Sequence, residues 1–192
     1  MANGRVCTGF SKPYVATYTE SGGTITYGTP TVLARGVDVT ISPEAGSDDD
    51  FYADNQQAES AGGVFSSGTF SLTVDGLKDA AKKLIMGLPT ADSSGWMAYG
   101  DSQEIPYVGL GFIARYMEDG VTTYVPYLIA KCKFDLIENA AATSEESVNF
   151  QTQALSGKIY RGDDANHTWR YEGSECQTEA AAITALTTKL GA

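Results

Sequence analysis

The stretch Pro13-Tyr14-Val15-Ala16-Thr17-Tyr18-Thr19-Glu20-Ser21-Gly22-Gly23-Thr24-Ile25-Thr26-Tyr27 reads as a β-hairpin and sets the fold class. Tyr14, Ala16 and Tyr18 fall on one face of a strand, Ser21-Gly22-Gly23 supplies the turn, and Thr24 to Tyr27 returns. The same alternation recurs downstream. In Val37 to Ile41, Val37, Val39 and Ile41 are expected inside, with Asp38 and Thr40 outside and Pro43 closing the strand. Thr69 to Asp75 puts Phe70, Leu72 and Val74 on one side. Tyr107 to Tyr116, the turn Glu118-Asp119-Gly120 and Val121 to Ile137 predict a second hairpin, with Pro126 as a kink or an edge. Further strands are expected over Ser147 to Tyr160 and His167 to Tyr171.

Two segments have helical spacing. Leu77, Ala81, Leu84 and Ile85 form a stripe after Asp75, the expected N-cap, with Lys78, Lys82 and Lys83 outward and Gly87 as the stop. Gln177 to Leu190 carries Ala182, Ile183 and Leu186 and predicts a C-terminal helix, within a C-terminal arm or helix at 177–192. Strands dominate without β-α alternation. The expected fold is mainly β (α+β), one domain over 1–192. It is a β-sandwich or partly closed barrel with one packed helix and a C-terminal helix.

Composition agrees. Eleven Tyr, seven Phe and two Trp suit pleated, half-buried surfaces, and 21 Gly supply turns. Cys7, Cys132 and Cys176 are odd in number and lack C-x-x-C spacing, which argues for reduced thiols over a disulfide framework or a zinc site. Met1-Ala2-Asn3-Gly4-Arg5-Val6 lacks an apolar signal region, and no apolar run reaches the roughly 20 residues of a membrane span. A soluble protein made in a cytoplasm is expected. The formal charge is −11, and the eight acids Asp38, Glu44, Asp48, Asp49, Asp50, Asp54, Glu59 and Asp75 carry −8 of it with no basic residue between Arg35 and Lys78. That balance opposes tight binding of nucleic acid or an anionic membrane. Between 44 and 63 the sequence predicts a long, irregular acidic loop anchored by Phe51-Tyr52.

Catalytic signals are weak. The single histidine, His167, lies in Asn166-His167-Thr168-Trp169 and reads as a surface or edge-strand residue. Asp48-Asp49-Asp50 with Asp54 lacks the alternating donors, central Gly and closing Glu of a calcium loop. No pair of carboxylates is singled out for glycoside hydrolysis. Gly109-Leu110-Gly111 sits in mid-strand, where glycine marks a bulge or a close backbone approach. Trp96, Tyr99, Tyr107, Tyr116, Tyr124 and Tyr127 fit a sugar platform less well than ordinary core and edge packing. The expectation is no enzyme, no cofactor and no metal.

Taken in order, several segments resemble the major tail protein (tail tube protein) family of long-tailed, non-contractile phages. They are the first hairpin through Gly28-Thr29-Pro30, Val37-Asp38-Val39-Thr40-Ile41-Ser42-Pro43-Glu44 leading into Phe51-Tyr52-Ala53-Asp54-Asn55, and Gly68-Thr69-Phe70-Ser71-Leu72-Thr73-Val74 with the helix ending at Gly87. Glu145-Glu146-Ser147-Val148-Asn149-Phe150-Gln151-Thr152-Gln153 completes the series. The resemblance implies a structural subunit that forms hexameric rings stacked into a hollow tube. Such a tube surrounds a tape-measure protein, meets tail-tip and terminator proteins, and passes DNA without binding it specifically. It implies no membrane partner, production in the bacterial host cytoplasm, and a final place in the virion tail. The residues expected to contact a neighbouring subunit are Asp48, Asp49, Asp50, Phe51, Tyr52, Asp54 and Asn55. The alternative reading is a β-sandwich binding module, a capsid-decoration or carbohydrate-binding protein.

Overall fold

The computed structural model describes residues 4–46, 49–53, 56–101, 103–139, 143 and 151–191, and for 49–53 and 56–61 the backbone alone. The protein is mainly β: one unclosed nine-stranded antiparallel sheet carries two helices, one of them C-terminal. The expected first hairpin forms from β1 (Val6–Ser21) and β2 (Thr24–Tyr27), with Gly22 and Gly23 at φ +60° and +80° in the turn. β1 is longer than expected and covered on both faces, because Val15 joins one apolar cluster while Ala16 and Tyr14 join another. The short β3 (Thr31–Val32) also pairs with β1.

β4 (Gly36–Ala45) and β7 (Phe65–Val74) form a long antiparallel pair. Phe70, Leu72 and Val74 are buried as the alternation requires. Val37 is not: a register shift between Gly36 and Asp38 turns it outward, 56% exposed, while Val39 and Ile41 pack on the core. Pro43 does not close the strand. It lies inside β4, tolerated because β4 is the last strand of the sheet and needs no amide donor on its outer side. Between β4 and β7 the expected irregular loop contains a hairpin, β5 (Asp49–Ala53) with β6 (Gln56–Ala61), in a two-stranded sheet of its own.

The helix α1 (Asp79–Met86) starts later than expected, with Lys78 at its N-cap and no side-chain cap. Asp75 does other work: its carboxylate accepts from the Arg35 amide at 3.0 Å and from the Arg35 guanidinium. That pairing holds the Asp75 carboxyl below its usual range. Gly87 ends the helix in the left-handed region at φ +61°, as expected. Burying Ala81, Ile85 and Met86 seats α1 on the core, with a large aliphatic side chain contributing roughly 1.5–3 kcal/mol.

β8 (Val108–Glu118) and β9 (Val121–Phe134) meet at the expected turn, where Asp119 and Gly120 have φ +47° and +82°. Pro126 does not mark an edge. It lies between β8 and the register slip from Tyr127–Glu172 to Tyr124–Cys176, where a missing amide donor costs little. β10 (Gln153–Ile159) and β11 (Arg170–Glu172) share the other margin of β9. Of the expected strand over 147–160, β10 covers Gln153–Ile159; 151, 152 and 160 are not in the strand, and 147–150 lie outside the described residues. His167 is not in a strand; it sits in the preceding turn at φ +50°.

The order β2-β1-β8-β9-β10-β7-β4 wraps most of the way round one core. A Cβ on Gly36 would lie 2.0 Å from the Phe10 ring, so β4 and β1 touch where β4 begins, and no ladder joins them among the described residues. The helix α2 (Glu179–Lys189), capped by the Thr178 hydroxyl accepting from the Ala181 amide at 3.2 Å, lies on the opposite face. There Leu186 and Leu190 press on Gly111 and Gly109, where added Cβ atoms would come within 2.5 Å of Leu186 and 3.1 Å of Leu190. Gly109-Leu110-Gly111 thus serves both as a register shift and as a close approach.

Candidate assembly interface

An antiparallel sheet that does not close leaves strand margins with unpaired amides and carbonyls. Here the margins are the ten-residue β4 at one end and, at the other, β2 with the N-terminal part of β1. Among the described residues no strand pairs with the outer side of β4. Between these margins opens a groove of about 460 Å³ lined by Phe10, Val39, Ile41, Phe112, Tyr127 and Arg170, among others. The acidic β5–β6 hairpin is attached at the far end of β4 and belongs to neither margin. A lone two-stranded hairpin is marginally stable in water, which makes this segment a poor free-standing unit.

The outer face of β10, β7 and β4 bears polar side chains, short except for Lys158. Ser156, Ser71 and Thr40 form one register row, and Lys158, Thr69 and Ser42 the next. Among the described residues no helix covers this part of the sheet, since α2 packs against β8 and β9. At its border lies a cation–aromatic cluster. The Lys131 ammonium is 2.7 Å from the Asp163 carboxylate and 4.6 Å from the Tyr107 ring centre, and the Tyr18 hydroxyl donates to Asp163 at 2.9 Å. Burial pushes the Tyr18 phenol up to about 12. The Lys131 ammonium and the Tyr18 hydroxyl hold the Asp163 carboxyl below its usual range. A depressed carboxyl stabilises the fold above its unfolded value, near 4, and that contribution disappears as pH falls through the folded value. Asp163→Asn should therefore lower the melting temperature at pH 7 and flatten its decline between about pH 4 and 2. Parallel melting-temperature curves for variant and wild type would remove this assignment.

Among the described residues the other chemistry-bearing side chains do not converge. His167 Nδ1 is 3.1 Å from the Gly162 carbonyl, and Asp164 binds the Thr168 amide and hydroxyl at 2.7 Å each, which builds a turn. Cys132 is fully buried with its thiol pushed up by desolvation, and all three cysteines are free. Among the described residues no three His, Cys, Asp or Glu gather as a metal site, and no helix is long and apolar enough to cross a membrane. The six aromatic residues of the sugar-platform reading are dispersed. Tyr116 and Tyr127 share a hydroxyl contact at 3.0 Å beside the groove, Tyr124 packs under α2, and Trp96 stands 77% exposed on a turn closed by Asp92. Of the predicted contact residues, Asp49, Asp50, Phe51 and Tyr52 lie on β5 by their backbone, while Asp48, Asp54 and Asn55 lie outside the described residues. Sequence reading missed the open β4 margin and the facing pair Lys133 and Lys158; both depend on long-range register.

The sequence matches no protein-family model and no curated relative.

Proposed function

We propose that this chain is the structural subunit of a phage tail tube, which assembles as hexameric rings stacked into a hollow conduit for DNA passage into the host. The observation that carries the reading is the unclosed nine-stranded sheet whose long β4 margin pairs with no other strand among the described residues, with a separate acidic hairpin beyond it. Pairing the two margins of successive copies head to tail satisfies both and closes by rotation into a ring. The hairpin is then free to reach a neighbouring copy. The ordered resemblance of the chain's segments to tail tube proteins supports the same reading. In it the subunit performs no reaction and holds no cofactor. It is made in the bacterial host cytoplasm and ends in the virion tail, around a tape-measure protein and against tail-tip and terminator proteins.

Electrostatics gives a test. Six copies at −11 each carry −66 formally, a repulsion that assembly must offset. Salt shortens its range, to about 8 Å at physiological ionic strength. Light scattering of the purified protein should show assembly that strengthens from about 10 to 300 mM salt, with sedimentation resolving a hexameric ring. Scattering that is fastest at the lowest salt would contradict this.

A further inference from the structure

We propose that the facing pair Lys133 and Lys158 receives the acidic β5–β6 hairpin of a second copy; the inference rests on the self-assembly reading and names the contact within it. Lys133 on β9 and Lys158 on β10 are direct register partners with both side chains on the outer face, since Cys132, Phe134 and Ile159 beside them point into the core. Like charges placed opposite one another in a sheet are destabilising unless an anion lies between them. Among the described residues neither lysine forms an ion pair, whereas Lys131 is already paired with Asp163. The Lys133 ammonium instead lies 5.5 Å from the Tyr107 ring, which is 38% exposed and meets Tyr160 edge-on. The result is a cationic, aromatic-backed spot on a chain of net charge −11.

Its complement is on the same chain. The hairpin contains Asp49, Asp50 and Glu59, and no basic residue occurs between Arg35 and Lys78. It forms no ladder with β9 or β10 of its own copy among the described residues. A duplex fits the spot less well than a carboxylate-bearing strand. Two lysines neutralise few of the phosphates along a duplex. The contact is shorter than a Debye length, so salt weakens it less than it weakens the long-range repulsion between subunits.

The test mixes charge-reversed full-length chains. K133E/K158E and D49K/D50K should each self-associate at least about tenfold more weakly than wild type by sedimentation, and an equimolar mixture of the two should recover association. Carbodiimide cross-linking of a mixture of unlabelled and ¹⁵N-labelled wild type should join Lys133 or Lys158 of one copy to Asp49, Asp50 or Glu59 of the other. Undiminished association of K133E/K158E, or intermolecular cross-links elsewhere only, would overturn the contact and leave the assembly reading intact. Cross-links confined to one copy would do the same. Wild type that stays monomeric at every concentration would overturn both. Duplex binding by wild type that K133E/K158E abolishes would assign the spot to nucleic acid and overturn the contact.

Discussion

Replacing Gly157 by alanine is expected to cost about 3 kcal/mol or more, a large share of the 5–15 kcal/mol by which a domain of this kind is stable. Gly157 lies on β10 in register with Phe70 on β7 and Phe134 on β9, and the two rings meet edge to face over it with centres 5.0 Å apart. A Cβ there would stand 2.3 Å from the Lys133 carbonyl oxygen and 2.5 Å from the Phe70 ring. The ring can swing aside only by leaving its partner, and the carbonyl belongs to the ladder. Relief therefore requires the strands to separate where β10 joins the two halves of the sheet. Urea denaturation should show a much lower midpoint for Gly157→Ala, whereas Ser71→Ala on the exposed outer face should stay within about 0.5 kcal/mol of wild type. Equal midpoints for the two variants would mean that the sheet does not pack as described.

The second large effect concerns assembly. Deleting residues 47–61 should leave a folded protein that cannot elongate. Gly46 donates to the Val64 carbonyl at 2.9 Å and Ala45 pairs with Phe65, so the β4–β7 ladder is already closed at the base of the hairpin. Among the described residues the hairpin strands pair only with each other, in a sheet separate from the main one. The melting temperature of the deletion should lie within a few degrees of wild type, and light scattering should detect no growth at concentrations where wild type assembles. Normal growth of the shortened chain would show that the hairpin has no part in stacking. Collapse of the melting transition would show that it belongs to the fold.

What the sequence revealed follows the range of the forces involved. The Ser21-Gly22-Gly23 and Glu118-Asp119-Gly120 turns, the alternation of Phe70, Leu72 and Val74, and the stop at Gly87 depend on neighbours within a few residues, and all were legible. So was the C-terminal helix, through the spacing of Ala182 and Leu186. The misplacements trace to longer-range causes. Val37 alternates in sequence, but a bulge turns it outward, and Asp75 prefers the Arg35 guanidinium to a helix end. Pro43 and Pro126 look like strand breakers until the pairing shows which of their sides needs no donor. The hairpin at 49–61 looks irregular in sequence because its Asp, Ala, Ser and Gln have little strand propensity. At the candidate interface, composition revealed the acidic segment, but the lysine pair arises only when β9 and β10 come into register.

Negative-stain electron microscopy of the concentrated wild-type protein, with and without an assembled tail tip as nucleus, tests the central claim most directly. Six-fold rings and tubes of uniform width are the expected result. A field of discrete single subunits under both conditions would contradict it.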